Sequence, residues 1–138
     1  MTSKGPVEPT QDGFTKLAVE VLRRLYGAKV NGTECIAYAM LTRYHNDVEH
    51  PARCWHSAQL AEDELGMRLD VFSRALNALT KKTFAHDGKS IPILAKVSDG
   101  HNGRAAVYND NLYAACILKD AAQIMTSSTP IKNVENSK

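Results

Sequence analysis

The stretch from Arg53 to Lys82, RCWHSAQLAEDELGMRLDVFSRALNALTKK, constrains this chain more than any other, because it reads as two short helices with a glycine turn between them. Ser57 is a good N-cap, and Ala58, Leu60, Ala61 and Leu65 give the first helix an apolar side. Gly66 then supplies the residue type that takes a positive φ without steric cost. The second helix starts near Leu69. Leu69, Phe72, Leu76 and Leu79 fall on one stripe, while Asp70, Ser73, Arg74, Asn77 and Lys81 are thrown onto the opposite side.

A short helix face carrying Ser, Arg, Asn and Lys suits a DNA major groove. At these residues the chain resembles the winged helix-turn-helix domains of phage and plasmid replication proteins and of small bacterial regulators. Three features carry the likeness: the Cys54-Trp55 pair before the first helix, the Leu65-Gly66 turn, and the run Phe72-Ser73-Arg74-Ala75-Leu76-Asn77-Ala78-Leu79, which looks like the family's recognition helix. The sequence departs from the pattern at one place. Counting back from Gly66, the small-residue position of the first helix falls on Glu62, with Ala61 one place earlier. The resemblance, extended by a hairpin and flanking helices, covers about Phe14 to Ile124. It implies a mainly α fold with a small β-hairpin wing.

At 138 residues the chain is sized for one domain, and 43% apolar residues suffice for a sizeable core. The formal charge of +2 does not mark a wholesale polyanion binder, so any affinity for nucleic acid must come from local clusters of Lys and Arg. Cys35, Cys54 and Cys116 are odd in number and widely spaced, which fits a reducing cytoplasm rather than a disulfide framework. The opening MTSKGPVEPTQDG has no apolar core of a signal peptide, and no segment approaches a membrane span. Residues 1–13 read as a disordered arm whose only basic side chain is Lys4, and 125–138, rich in Ser, Thr and Asn, as a disordered tail.

Between these ends, Phe14, Leu17, Ala18, Val21, Leu22, Leu25 and Tyr26 predict an amphipathic helix ended by Gly27. Thr33 can cap a second helix running to about Tyr44, so apolar from Cys35 to Leu41 that it reads as the central helix behind the helix-turn-helix. Arg53 to Trp55 suit a very short strand, with Trp55 as a core anchor. After a loop from Thr83 to Ser90, the alternation of Ile91, Ile93, Ala95 and Val97 predicts a strand, with Pro92 at its beginning or on an edge. The run Ser98-Asp99-Gly100-His101-Asn102-Gly103 makes the turn, and Arg104 to Asn109 the returning strand. Asn109 or Asp110 can cap a last helix reaching Ile124.

The function expected from these residues is sequence-specific binding of double-stranded DNA. Arg74 and Asn77 are the best base readers, supplemented by Ser73 and Arg68. Lys81, Lys82, Lys96 and Arg104 would hold the backbone, with His101 at the wing tip and Ser57 and Gln59 near the first helix's N-terminus as further contacts. Helices appended after the wing commonly pair two subunits in proteins of this resemblance, which makes Leu112, Tyr113, Cys116, Ile117 and Ile124 the expected homodimer stripe; packing back on its own domain is the alternative. His45, His50, Cys54 and His56 carry zinc-ligand types, but their spacing is not that of a structural site, and no metal or other cofactor is expected. The chain has no GxSxG, P-loop, GxGxxG after a strand or HExxH, and the acidic run Glu62-Asp63-Glu64 reads as a solvated face, so enzymatic activity is not expected. Transcriptional regulation is the leading role. Phage or plasmid replication or partition, at an origin or centromere, is the runner-up, and a protein-interaction module on the same fold is a third reading.

Overall fold

The computed structural model describes residues 17–43, 45, 48–55, 58–99 and 106–126. The expected arm, residues 1–13, and Phe14 at the start of the expected first helix lie outside them, as do 127–138 of the expected tail. The architecture is mixed rather than mainly α. Among the described residues four α-helices, α1 (Val19–Gly27), α2 (Gly32–Leu41), α3 (Ala58–Leu65) and α4 (Leu69–Leu79), are joined by five strands in two small antiparallel sheets.

Local chemistry accounts for the helix boundaries. α2 is capped by Asn31 rather than by Thr33: the Asn31 side chain accepts from the Glu34 backbone N–H at 2.8 Å, and Glu34 accepts in return from the Asn31 N–H at 3.1 Å. This reciprocal box satisfies two of the backbone donors that a helix start leaves open. Gly66, at φ +76°, stops α3 and lets its N–H reach the Glu62 carbonyl at 2.8 Å. The apolar residues of α1 divide between two faces. Val21 and Leu25 enter the core, whereas Val19, Leu22 and Tyr26 are exposed.

Strand β1 (Arg53–Trp55) precedes α3 as expected, and it pairs with β5 (Val107–Asp110) in the register Arg53↔Asn109, Cys54↔Tyr108, Trp55↔Val107. β4 (Leu94–Ser98) lies on the other side of β5, giving the order β1-β5-β4, with a register shift between Lys96 and Ser98. Trp55 is only partly buried and is not a core anchor.

The segment expected as the loop Thr83–Ser90 contains a second hairpin. β2 (Thr83–His86) pairs with β3 (Lys89–Pro92) around Asp87 and Gly88, both at positive φ (50° and 76°), the conformation that matches a two-residue turn to the strands' twist. The single strand expected over Ile91–Val97 is therefore broken at Ile93, whose N–H donates to the Lys82 carbonyl and whose carbonyl accepts from the Asn111 N–H. Pro92 ends β3 rather than opening a strand, and it is buried.

One core collects α2, α4 and the inner faces of both sheets. Its largest fully buried side chains include Tyr38, Leu41, Phe72, Leu79, Ile93, Leu94 and Leu112. α2 packs on α4, which makes it the central helix expected from its apolar sequence. Arg43, beyond the end of α2, reaches Glu64 at 3.2 Å, so the acidic run of α3 is not wholly solvated.

The described residues after β5 do not form one continuous α-helix. Asn111 and Leu112 lead into a π-helical turn (Tyr113–Leu118), Lys119 takes a left-handed conformation at φ 53°, and a 3-10 turn (Ala121–Gln123) follows. Ile124 packs against the core and Met125 is fastened to Asn111, so ordered chain runs on into the expected tail. No helix among the described residues is long and apolar enough to cross a membrane.

Candidate nucleic-acid interface

Of the expected stripe, Phe72, Leu76 and Leu79 are buried and, with Ala75, seat α4 in the core, whereas Leu69 is exposed; Ser73, Arg74 and Asn77 are exposed on the outer side. Arg68 stands at the N-cap position without a capping side-chain bond and is engaged elsewhere. Its guanidinium grips Asp70, Nε to Oδ1 at 3.1 Å and Nη2 to Oδ2 at 2.7 Å, and Arg74 Nη2 reaches the same Oδ2 at 3.0 Å. The Arg68 hydrogen bond, with both positive charges behind it, holds the Asp70 carboxyl below its ordinary range, and the same bond raises Arg68. All three side chains are more than half exposed, so the pairing is a surface one, screened by solvent.

The flanking contacts divide. Lys81 is exposed beside the end of α4. Lys82 points inward instead, with Nζ 2.6 Å from Glu34 Oε1 and 2.9 Å from the Lys29 carbonyl. It therefore ties the end of α4 to the start of α2 and is not available to a phosphate. Gln59 Nε2 donates to Glu62 at 3.2 Å and Asp63 at 3.1 Å, turning toward carboxylates of its own helix rather than presenting a donor outward. Lys96 sits 2.9 Å from Asp99 and 5.8 Å from the centre of the Tyr108 ring. Partial burial opposes its charge, but the Asp99 hydrogen bond and the neighbouring Tyr108 and Asp99 outweigh that and raise its pKa. Ser57, His101 and Arg104 lie outside the described residues.

The expected dimer stripe is partly drawn into the protein's own core. Leu112 is wholly buried, Tyr113 stacks on His45 with ring centres 4.1 Å apart, and Cys116 and Ile124 pack partly against the core, leaving Ile117 as the exposed member at 44%. A π-helical turn followed by a 3-10 turn does not keep the α-helical spacing on which that stripe rested.

Sequence reasoning took Asn109 and Asp110 only as caps and missed a buried polar knot. Asp110, 1% exposed, accepts from Tyr38 Oη at 2.8 and 2.9 Å, from the Tyr113 backbone N–H at 3.1 Å, and lies 3.1 Å from His45 Nε2. It does cap the final turn, as its bond to Tyr113 shows. Burial, and then Asp110, push the Tyr38 phenol well above its usual range, which keeps it a donor. Asn109 Nδ2 donates to Asn111 Oδ1 at 2.7 Å and to the Gln123 carbonyl at 2.8 Å, while Asn111 bonds the Pro92 carbonyl and both backbone groups of Met125. The triplet Asn-Asp-Asn was visible, but nothing local distinguishes an exposed turn from a buried hub.

Two of the zinc-ligand types are engaged elsewhere. His45 is committed to Asp110, the Cys54 thiol is fully buried and raised by that burial and by Asp110, and His56 is outside the described residues. Among the described residues no group of three or more His, Cys, Asp or Glu side chains is arranged to hold a metal ion. No family model, curated protein or solved structure matches this chain.

Proposed function

We propose that this protein is a winged helix-turn-helix module that binds duplex DNA, with α4 in the major groove, and that it regulates transcription from the site it binds. Origin or centromere binding in replication or partition would use the same contact. The observation that carries the reading is the pairing of a seated helix with an exposed polar face: α4 buries Phe72, Ala75, Leu76 and Leu79 and leaves Arg74 and Asn77, one turn apart, exposed. Arg pairs bidentately with guanine and Asn with adenine, and these two stand where neighbouring base pairs can be read. Support also comes from topology. A strand before α3 pairs with the second strand of the β4–β5 hairpin after α4, the arrangement expected of a winged architecture.

Selection of genomic fragments by the full-length protein, followed by titration of the enriched duplex, tests this. Arg74→Ala and Asn77→Ala should each leave the fold intact and cost about 1 to 3 kcal/mol on the selected site. Wild-type affinity in both variants would remove α4 from the interface.

One observation favours a protein-interaction module instead. Residues 58–79 hold four carboxylates (Glu62, Asp63, Glu64, Asp70) against two guanidiniums (Arg68, Arg74), a net of −2. If a protein is the partner, affinity for DNA should be weak and nearly independent of salt. Pairing of two subunits on a two-fold site stays part of the proposal, without Leu112, which is buried in its own subunit.

A further inference from the structure

Arg53 and Trp55 are the two side chains of β1 that turn away from the core. Cys54 between them is wholly buried, and strand alternation sends its neighbours together to the opposite face of the sheet, about 6.6 Å apart. Across the strand pair, Arg53 stands opposite Asn109 and Trp55 opposite Val107. The β5 and β4 part of this face is covered. Asn109 Nδ2 donates to the Gln123 carbonyl at 2.8 Å, Asn111 Nδ2 to the Met125 carbonyl at 2.7 Å, and Ala95, the β4 residue opposite Asn109, is 0% exposed. β1 is the margin of the sheet, and there Arg53 and Trp55 stay half-buried, as does Val107. The chain from Gln123 to Met125 thus stands as a wall, with the outer face of β1 as a ledge beside it.

The protein itself makes no polar use of these two side chains. Arg53 Nε is shut off from solvent and has no hydrogen-bond partner, whereas the terminal guanidinium nitrogens reach the surface. Among the described residues no carboxylate pairs with Arg53, no acceptor meets the Trp55 indole N–H, and no aromatic ring stacks on Trp55. Arg24, Arg68 and Arg74, by contrast, are each hydrogen-bonded to a carboxylate. A guanidinium half out of water, with one N–H already lacking an acceptor, gains from an incoming oxyanion, and its planar fork fits a phosphate. The indole beside it, fixed by its partial burial, offers a π-surface on which any nucleobase can stack.

We propose that the β1 ledge binds single-stranded nucleic acid, with one base stacked on Trp55 and an adjoining phosphate held by Arg53. In a duplex the bases are stacked on one another and closed to an indole, so only an unpaired strand offers base and phosphate together. The ledge uses no residue of α4, and the inference does not rest on the duplex reading.

Trp55 is the one tryptophan in the chain, so its own fluorescence reports on the site. The test titrates the full-length protein with oligothymidylate, oligouridylate and a blunt duplex, each about 12 nucleotides long, at about 50 mM salt. Either single strand should quench the Trp55 emission saturably, and the duplex should not. With labelled strand followed by anisotropy, Trp55→Ala should bind roughly 5- to 150-fold more weakly, and Trp55→Phe should recover part of the loss. Arg53→Gln should make the slope of log affinity against log salt shallower by about 0.7, and Arg53→Lys should keep it. An unchanged circular dichroism melt checks the fold of each variant; if Trp55→Ala melts early, Trp55→Phe and Arg53→Gln carry the test. No quenching by either strand, equal quenching by the duplex, or wild-type affinity and salt slope in the variants would each overturn the ledge. None of these results touches the α4 reading, which binding of the selected duplex tests separately.

Discussion

At the scale of single residues, Asp110 is the side chain on which most depends. A carboxylate at 1% exposure is costly unless its oxygens are occupied, and here Tyr38, His45 and the Tyr113 N–H occupy them. Asp110→Ala leaves those donors without a partner in the interior and should cost about 3 to 5 kcal/mol in urea denaturation. Tyr38→Phe removes one donor and leaves the carboxylate two, so it should cost about 1 to 2 kcal/mol. Equal losses in the two variants would show that the knot is not organised around Asp110. Asp70 gives a prediction in pH. Its folded pKa lies below the ordinary 3.8 because Arg68 and Arg74 favour the charged form. The pairing therefore stabilises the fold at pH above that ordinary value, and the contribution disappears as pH falls through the lowered folded pKa. A carboxyl-carbon NMR titration should place the Asp70 midpoint below 3.8, and Arg68→Ala should move it back up; a midpoint at the ordinary value in wild type would mean the clamp does not form in solution.

At the scale of elements, turns and caps decide where each helix and strand ends. Gly66 at φ +76° has nothing within 4 Å of the position a Cβ would take, so Gly66→Ala meets a backbone penalty alone, about 1 kcal/mol. Gly27, the last residue of α1, is equally open but not at positive φ, and Gly27→Ala should stabilise by roughly 0.5 to 1 kcal/mol. Thermal melts of the two variants should move in opposite directions. A Gly66→Ala protein as stable as wild type would imply that the α3–α4 turn relaxes to another conformation. The β2–β3 hairpin was legible at the same scale: His-Asp-Gly-Lys carries the Asp-Gly signal of a two-residue turn. Its short flanking strands, with Ala85 and Ser90 facing out, gave too weak an alternation to support it.

At the scale of the whole molecule, the segment after β5 is part of the core rather than an appendage. Leu112 and Ala114 are wholly buried, and Asn109 and Asn111 lace the strands to Gln123 and Met125. Ending the chain before Asn109 should therefore give an unfolded or aggregating protein, not a folded monomer. Circular dichroism and sedimentation of that truncation check the point; a cooperative melt from a monodisperse species would show that the C-terminal segment is dispensable. Of the dimer stripe expected from the sequence, Leu112 is spent on the protein's own core, while Tyr113, Cys116 and Ile124 are half-buried and Ile117 is exposed.

The sequence by itself determined what local rules can encode. Gly66 and the apolar stripe of α4 placed two helices and the turn between them, and the stripe's polar complement placed Ser73, Arg74 and Asn77 outside. The apolar run of α2 marked it as central, and alternation together with Gly-rich turns marked β4 and β5. Only the tertiary structure decided which polar side chains are spent internally. Lys82 on Glu34, Arg68 and Arg74 on Asp70, and Asp110 on Tyr38 pair residues whose separation along the chain carries no signal, or compete with a DNA contact that the sequence suggests equally well. An exposed charge and a buried one are the same letter. Their difference is a desolvation cost of several kcal/mol, and it becomes visible only when the folded chain brings the partner within hydrogen-bonding distance.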